Sequence, residues 1–217
     1  MKKEIIQQEI NISVPAGEIL GTLTIPHDAS GVVIFAHGSG SSRYSPRNQY
    51  VAKVLQEENL ATLLMDLFTL SEETEDSSTR ELRFNIPFLA ERLMHVTEWI
   101  ERCEETRLFE IAYFGASTGA AAALMAAAEK GDKIKAVVSR GGRPDLAGSS
   151  LSKVKSPTLL IVGGNDYGVI ELNEQALALL QCEKKLEIVA RATHLFEEEG
   201  TLEEAARLAK LWFLSHF

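Results

Sequence analysis

The sequence predicts an α/β fold: a mostly parallel sheet of about eight strands flanked by helices, with no large lid. Three observations carry that expectation. Short apolar runs alternate with helical patterns along most of the chain. Some runs, Val32-Val33-Ile34-Phe35 first among them, are apolar at every position, as strands buried on both faces are. A length of 217 residues, 45% of them hydrophobic, suffices for one domain with a sizeable core and is short for two. Residues 1–217 are therefore read as a single domain.

The elements follow in order. Glu4 to Val14 reads as a strand, closed by Pro15 and Gly17, and Ile19 to Ile25 alternates well enough to pair with it antiparallel. Pro26-His27-Asp28 turns the chain into the run Val32–Phe35. Ala61 to Leu67, Ile111 to Gly115, Ile134 to Ser139, Thr158 to Val162 and Lys185 to Val189 share its character. Helical patterns lie between them near 47–58, 80–105, 118–130, 169–181 and 201–216. In the 80–105 segment Leu82, Ile86, Leu89, Leu93, Val96 and Ile100 recur every three or four residues. Pro87 either kinks that helix or sits in its first turn, with the start near Asn85. Phe68 to Thr79, rich in Ser, Thr, Asp and Glu, reads as a solvated loop. No repeat or linker divides the chain.

Composition excludes several classes. With 22 basic against 31 acidic residues the net charge is -9, which argues against duplex nucleic acid as a partner. Aromatic content of 7% offers little for single-strand stacking. The longest apolar run, Ala120 to Ala128, is less than half of the roughly 20 residues that span a bilayer. Two lysines near the N-terminus have no apolar stretch behind them, so no secretory leader is expected. Cys103 and Cys182 are too few for a disulfide framework or a cysteine-rich zinc site. A soluble, cytoplasmic protein, with no nucleic-acid or membrane partner, is what these features predict.

Gly115-Ala116-Ser117-Thr118-Gly119 matches the G-x-S-x-G pattern of a nucleophile elbow. An apolar strand, Ile111-Ala112-Tyr113-Phe114, leads in and the alanine-rich helix leads out. Such a strand-to-helix turn strains the serine and exposes its hydroxyl; small neighbours are needed to avoid clashes. The helix N-terminus adds backbone N–H groups beside it. The pattern resembles α/β-hydrolases, where chain order runs Ser, then Asp or Glu, then His. That order selects His194, after the last strand, from the five histidines. Of the acids between Ser117 and His194, Asp132 precedes a strand, at the wrong sheet edge, and Asp145 can pair locally with Arg143. Asp166 follows the strand Thr158–Val162 through Gly163-Gly164-Asn165 and is chosen ahead of Asp145 and Glu171. His37-Gly38-Ser39-Gly40, just after the third strand, resembles the glycine-containing oxyanion loop of esterases. Backbone N–H groups of Ser39 and Thr118 are the expected oxyanion donors, with His37 bracing the loop.

Together, these four segments resemble the α/β-hydrolase superfamily over essentially the whole chain, and within it the dienelactone hydrolase-like group of small, lidless serine hydrolases. That resemblance implies strand order 1-2-4-3-5-6-7-8 and hydrolysis of short-chain carboxylic esters through an acyl-enzyme. It implies neither metal nor organic cofactor. Dienelactone hydrolases proper use a cysteine nucleophile; Ser117 in its place favours a general carboxylesterase. Acyl thioesters and lactones are alternative substrates for the same triad. A non-catalytic small-molecule-binding protein on this fold is the alternative of another class. With His194 as base, kcat/KM should fall on the acid side as the imidazole protonates.

One stretch stands out in this acidic chain: Glu129 to Lys155 holds seven basic residues against three acidic ones. Arg140 follows a strand and should reach the same sheet edge as Ser117. Arg43 and Arg47 flank the loop after the oxyanion segment. These arginines either hold an anionic substrate group or pair with carboxylates such as Asp66 and Asp145. Phe196, Tyr167, Leu67 and Phe68 are the candidate pocket walls.

Overall fold

The computed structural model describes residues 5–217; the start of the first strand at Glu4 and the two lysines before it lie outside them. Strands β1 (Ile5–Val14) and β2 (Gly17–Pro26) form an antiparallel hairpin. β3 (Gly31–Ala36), β4 (Ala61–Met65), β5 (Glu110–Ala116), β6 (Ile134–Arg140), β7 (Thr158–Gly163) and β8 (Lys184–Val189) complete one open sheet. Its order is β1-β2-β4-β3-β5-β6-β7-β8, as the resemblance implied. β2 runs antiparallel to β4, and every pairing from β4 through β8 is parallel.

Helices cover both faces, which is why the central strands are apolar throughout. α3 (Ile86–Arg102) and α4 (Thr118–Lys130) pack on one face, around Ile34, Leu63, Tyr113 and Val137. α1 (Pro46–Glu57) and α6 (Thr201–Leu214) pack on the other, around Val33, Phe35, Phe114 and Val138. α5 (Tyr167–Leu179) follows β7. Because the strands from β3 onward are parallel, their C-terminal ends share one edge. The segments after β3, β5, β6, β7 and β8 all emerge there.

Three expectations change. Phe68 to Thr79 is not a loop: Leu70–Thr79 forms a helix, α2. Thr69 Oγ1 accepts from Glu72 N–H (3.3 Å) and Thr69 N–H donates to the Glu72 carboxylate (2.8 Å), a reciprocal cap. Asp76, 1% exposed, receives Arg83 Nε at 2.6 Å and the Arg83 amide at 3.1 Å, and Arg92 Nη2 reaches Glu72 at 2.6 Å. Charges and caps anchor this helix, so it shows no apolar stripe. The segment 80–105 is two pieces, a 3-10 turn at Leu82–Phe84 and then α3. Pro87 falls in the first turn of α3, where its missing N–H costs nothing, and Asn85 Oδ1 caps the Phe88 amide at 3.2 Å. Pro144–Lys153 adds a 3-10 segment, kinked at Gly148, that the sequence did not suggest.

Candidate active site

Ser117 stands between β5 and α4 with φ 50° and ψ -121°, a backbone conformation that non-glycine residues rarely adopt. Its neighbours explain how the turn closes. A Cβ on Gly115 would lie 2.4 Å from Ala120 Cα, and one on Gly119 would lie 2.2 Å from the Ala36 carbonyl oxygen. Only glycine lets α4 start that close to β3 and β5. The turn is also fastened to β6: Ser117 N–H donates to the Arg140 carbonyl (3.4 Å) and Arg143 N–H to the Ser117 carbonyl (3.1 Å).

His194 and Asp166 arrive on two loops held together. Asn165 N–H donates to the Ala192 carbonyl at 2.9 Å, Asn165 Nδ2 to the Arg191 carbonyl at 3.0 Å, and Gly164 N–H to the Val189 carbonyl at 2.8 Å. Glu198 braces the histidine loop from the far side, accepting from the Thr193 amide and hydroxyl at 2.9 and 2.7 Å; these bonds hold its carboxyl below the usual range. The result is a His194 Nδ1 to Asp166 Oδ2 contact of 2.7 Å. A carboxylate there fixes the Nδ1–H tautomer and leaves Nε2 free to take a proton. Ser117 and His194 line one cleft of about 280 Å³, together with Ser39, Arg47, Asn48 and Arg140. The rival acids are elsewhere: Asp145 is held by Arg143 through bonds of 2.9 and 2.8 Å, and Glu171 lies exposed on α5.

The loop after β3, Gly38 to Gly40, presses on the serine. A Cβ on Gly38 would sit 2.9 Å from Ser117 Cβ. His37 braces the loop: Nδ1–H donates to the Gly38 carbonyl (2.9 Å) and Nε2 accepts from the Leu67 amide (3.2 Å). Burial pushes its pKa below the ordinary 6.5, against the opposing pull of that carbonyl and of Asp66 and Glu73. The expected donor Ser39 N–H is not free at rest: it donates to Thr118 Oγ1 at 3.0 Å.

The expected substrate contacts divide. Arg43 is taken by Asp66, with Glu9 at 3.6 Å and the Tyr44 ring 4.3 Å away, and does not line the cleft. Tyr167 is 71% exposed and Phe196 is 2% exposed in the core, so neither is a cleft wall; Leu195 lines it instead. Leu67 is buried, and Phe68 walls a neighbouring cleft beside α2 that shares Ser41 and Ser45 with the first. Most of the basic stretch is solvated pairs: Lys130–Glu98, Lys133–Glu101, Lys135–Glu110 and Lys155–Asp132. Arg140 is the exception and does reach the cleft. Asn48 was missed, because a polar residue in the first turn of a helix carries no signal of what it faces. Among the described residues, no group of three or more His, Cys, Asp or Glu is placed to hold a metal ion. Nor is any helix there long and apolar enough to cross a membrane.

An open sheet with a strained serine after a central strand, and an Asp–His pair on the last two strand loops, is the arrangement of the α/β-hydrolase fold. The family model described as an alpha/beta hydrolase domain matches residues 29–208. The crystal structure of a dienelactone hydrolase from Anabaena variabilis ATCC 29413 is 55% identical and superposes with a TM-score of 0.96, covering 98% of this chain and 99% of its own. Est1E from Butyrivibrio proteoclasticus, at 17% identity and TM-score 0.79 over 96% and 98% of the two chains, shares the fold. Two Mycobacterium tuberculosis proteins, from strains H37Rv and CDC 1551, are 51% identical over 209 residues and are provisionally named phosphoribosyl transferases. The match takes in 96% of this chain and 46% of theirs, so the chain spans about half the length of these curated relatives. The chain belongs to the α/β-hydrolase family, in its dienelactone hydrolase-like group.

Proposed function

We propose that the protein is a serine hydrolase of short-chain carboxylic esters that works through an acyl-enzyme. The observation that carries this reading is the 2.7 Å Asp166–His194 contact beside a strained Ser117 in one cleft. Ser117 Oγ bonds to the ester carbonyl carbon as its proton passes to His194 Nε2, and the carbonyl electron pair moves to oxygen. Collapse breaks the bond to the alkoxy oxygen, which leaves as the alcohol with the proton from His194. Water then loses a proton to His194 and bonds to the acyl carbon; the Oγ–C bond breaks and Ser117 regains its proton. Asp166 stabilises the imidazolium in both halves. Thr118 N–H, at the first turn of α4, receives the oxyanion, and Ser39 N–H joins it by turning from Thr118 Oγ1.

An open cleft with no insertion larger than α2 favours short acyl groups over lipid. The name of the 55% identical structure supports lactones as a second substrate class. The cytoplasm is the compartment we infer, the two thiols being unpaired.

Intact-mass labelling with a fluorophosphonate tests the reading. Wild type should take one adduct and Ser117→Ala none. A folded wild type that stays unlabelled would leave a binding protein on a hydrolase fold.

A further inference from the structure

Arg140 is 7% exposed, and a buried guanidinium is normally kept only with a counter-charge. Elsewhere this chain obeys that rule: buried Arg92 has Glu72, and Arg43 has Asp66. Among the described residues Arg140 has no carboxylate partner. Its Nη2 donates to the neutral Asn48 Oδ1 at 3.3 Å, while Nε and Nη1 have no partner. The charge acting on it is another cation, Arg47; burial first, and then Arg47, lower its pKa to about 10. The Phe196 ring, 5.7 Å from the guanidinium carbon, helps to hold it in place.

Among the described residues the two arginines are also the only formally charged ones lining the cleft, His194 aside, in a chain of net charge -9. Arg47 makes one long contact, 3.4 Å, to Glu197, whose side chain is 65% exposed. The first turn of α1, with Ser45 and Asn48, opens on the same space and adds the positive end of a twelve-residue helix.

We propose that Arg140 and Arg47 seat a second, non-reacting anionic group of the ester substrate, and that a phosphate monoester dianion is the group this pair fits. The inference rests on the hydrolase reading for its substrate but not for its binding site. Two cations without an acid between them match two negative charges. A carboxylate brings one negative charge to the two guanidinium groups, whereas a dianion brings one for each. Binding draws Arg47 from Glu197 and supplies Arg140 with its missing counter-ion.

The test uses three acetate esters: 2-acetoxyethyl phosphate, 3-acetoxypropanoate and neutral 2-methoxyethyl acetate, each rate normalised to its hydroxide-catalysed rate. The expected order of kcat/KM is phosphate, then carboxylate, then neutral, with about 10- to 100-fold between the extremes. Arg140→Met should collapse that ratio to within about 3-fold while melting no lower than wild type, since it removes an uncompensated charge. If Arg140→Met does not fold, Arg47→Gln takes its place and should lower the ratio by about 10-fold. Titration of Ser117→Ala with inorganic phosphate reads the seat without turnover. Equal rates for the three esters, or carboxylate ahead of phosphate, overturns the proposal, as does a serine that labels in a protein that binds no phosphate. Phosphate binding by a protein whose serine does not label would sink the hydrolase reading alone.

Discussion

Asp166 occupies the capping position of α5 yet makes no capping bond; its carboxylate goes to His194 instead. A cap there would be worth about 1 kcal/mol, so stability is forgone for orientation of the imidazole. Asp166→Asn should therefore fold with a Tm within a few degrees of wild type and lose roughly 10⁴-fold in kcat on a neutral ester, because an amide permits the wrong tautomer. Loss of less than tenfold would remove Asp166 from the triad. His37 gives a second expectation. Its folded pKa lies below 6.5, so under acid the unfolded chain takes a proton that the folded one refuses. The stability it contributes is complete above about pH 6.5 and is lost as pH falls from there through the lowered folded value. Melting temperature should drop more steeply between pH 7 and 5 for wild type than for His37→Gln. Parallel curves would show that the buried ring is not what acid attacks.

At the scale of elements, α2 is the informative case. Thr69→Ala removes the side-chain half of its reciprocal cap and should cost about 1 kcal/mol. Asp76→Ala strands Arg83 beside a buried position and should cost about 3 kcal/mol, read as a Tm lowered by roughly 6–12 °C. If both variants melt like wild type, the helix is held by something other than its charges. The same helix shows where sequence reading stopped. β3, β5 and β7 were legible because strands buried on both faces must be apolar, and the elbow was legible because Gly115 and Gly119 have no substitute. α2 was not, since its order comes from Glu72, Asp76, Arg83 and Arg92, which look like any solvated run. Thr69-Leu70-Ser71-Glu72 carries the S/T-x-x-E capping signature and was the one signal that could have found it. Ser117, Asp166 and His194 were named from motif and chain order, and the structure brings Asp166 and His194 into contact. Of the expected walls, Leu67 and Phe68 line a pocket with Ser39 and Thr118, whereas Tyr167 and Phe196 do not line the cleft, because which face those two present depends on loop geometry that no periodicity encodes.

At the scale of the whole molecule, charge is distributed against its own average. The chain carries a net -9, while among the described residues the cleft is lined by Arg47 and Arg140 and by no carboxylate. If the two arginines seat an anionic ester, it is repelled at a distance and held at contact. Raising ionic strength from about 0.01 to 0.15 M shortens the Debye length from roughly 30 to 8 Å and screens the first effect more than the second. For 3-acetoxypropanoate, kcat/KM should hold or rise over that range; a steep fall would mean that long-range attraction, not contact, brings it in. Neutral esters should show little change. The cleft arginines bear on the product as well as on the substrate. If the proposed ester hydrolysis takes place, each turnover releases a carboxylate into the cleft that those arginines line, and the acid product should then act as an inhibitor. Progress curves should bend before substrate is exhausted, added product acid should compete with ester, and emptying the cleft rather than cleaving the bond should set the pace of turnover.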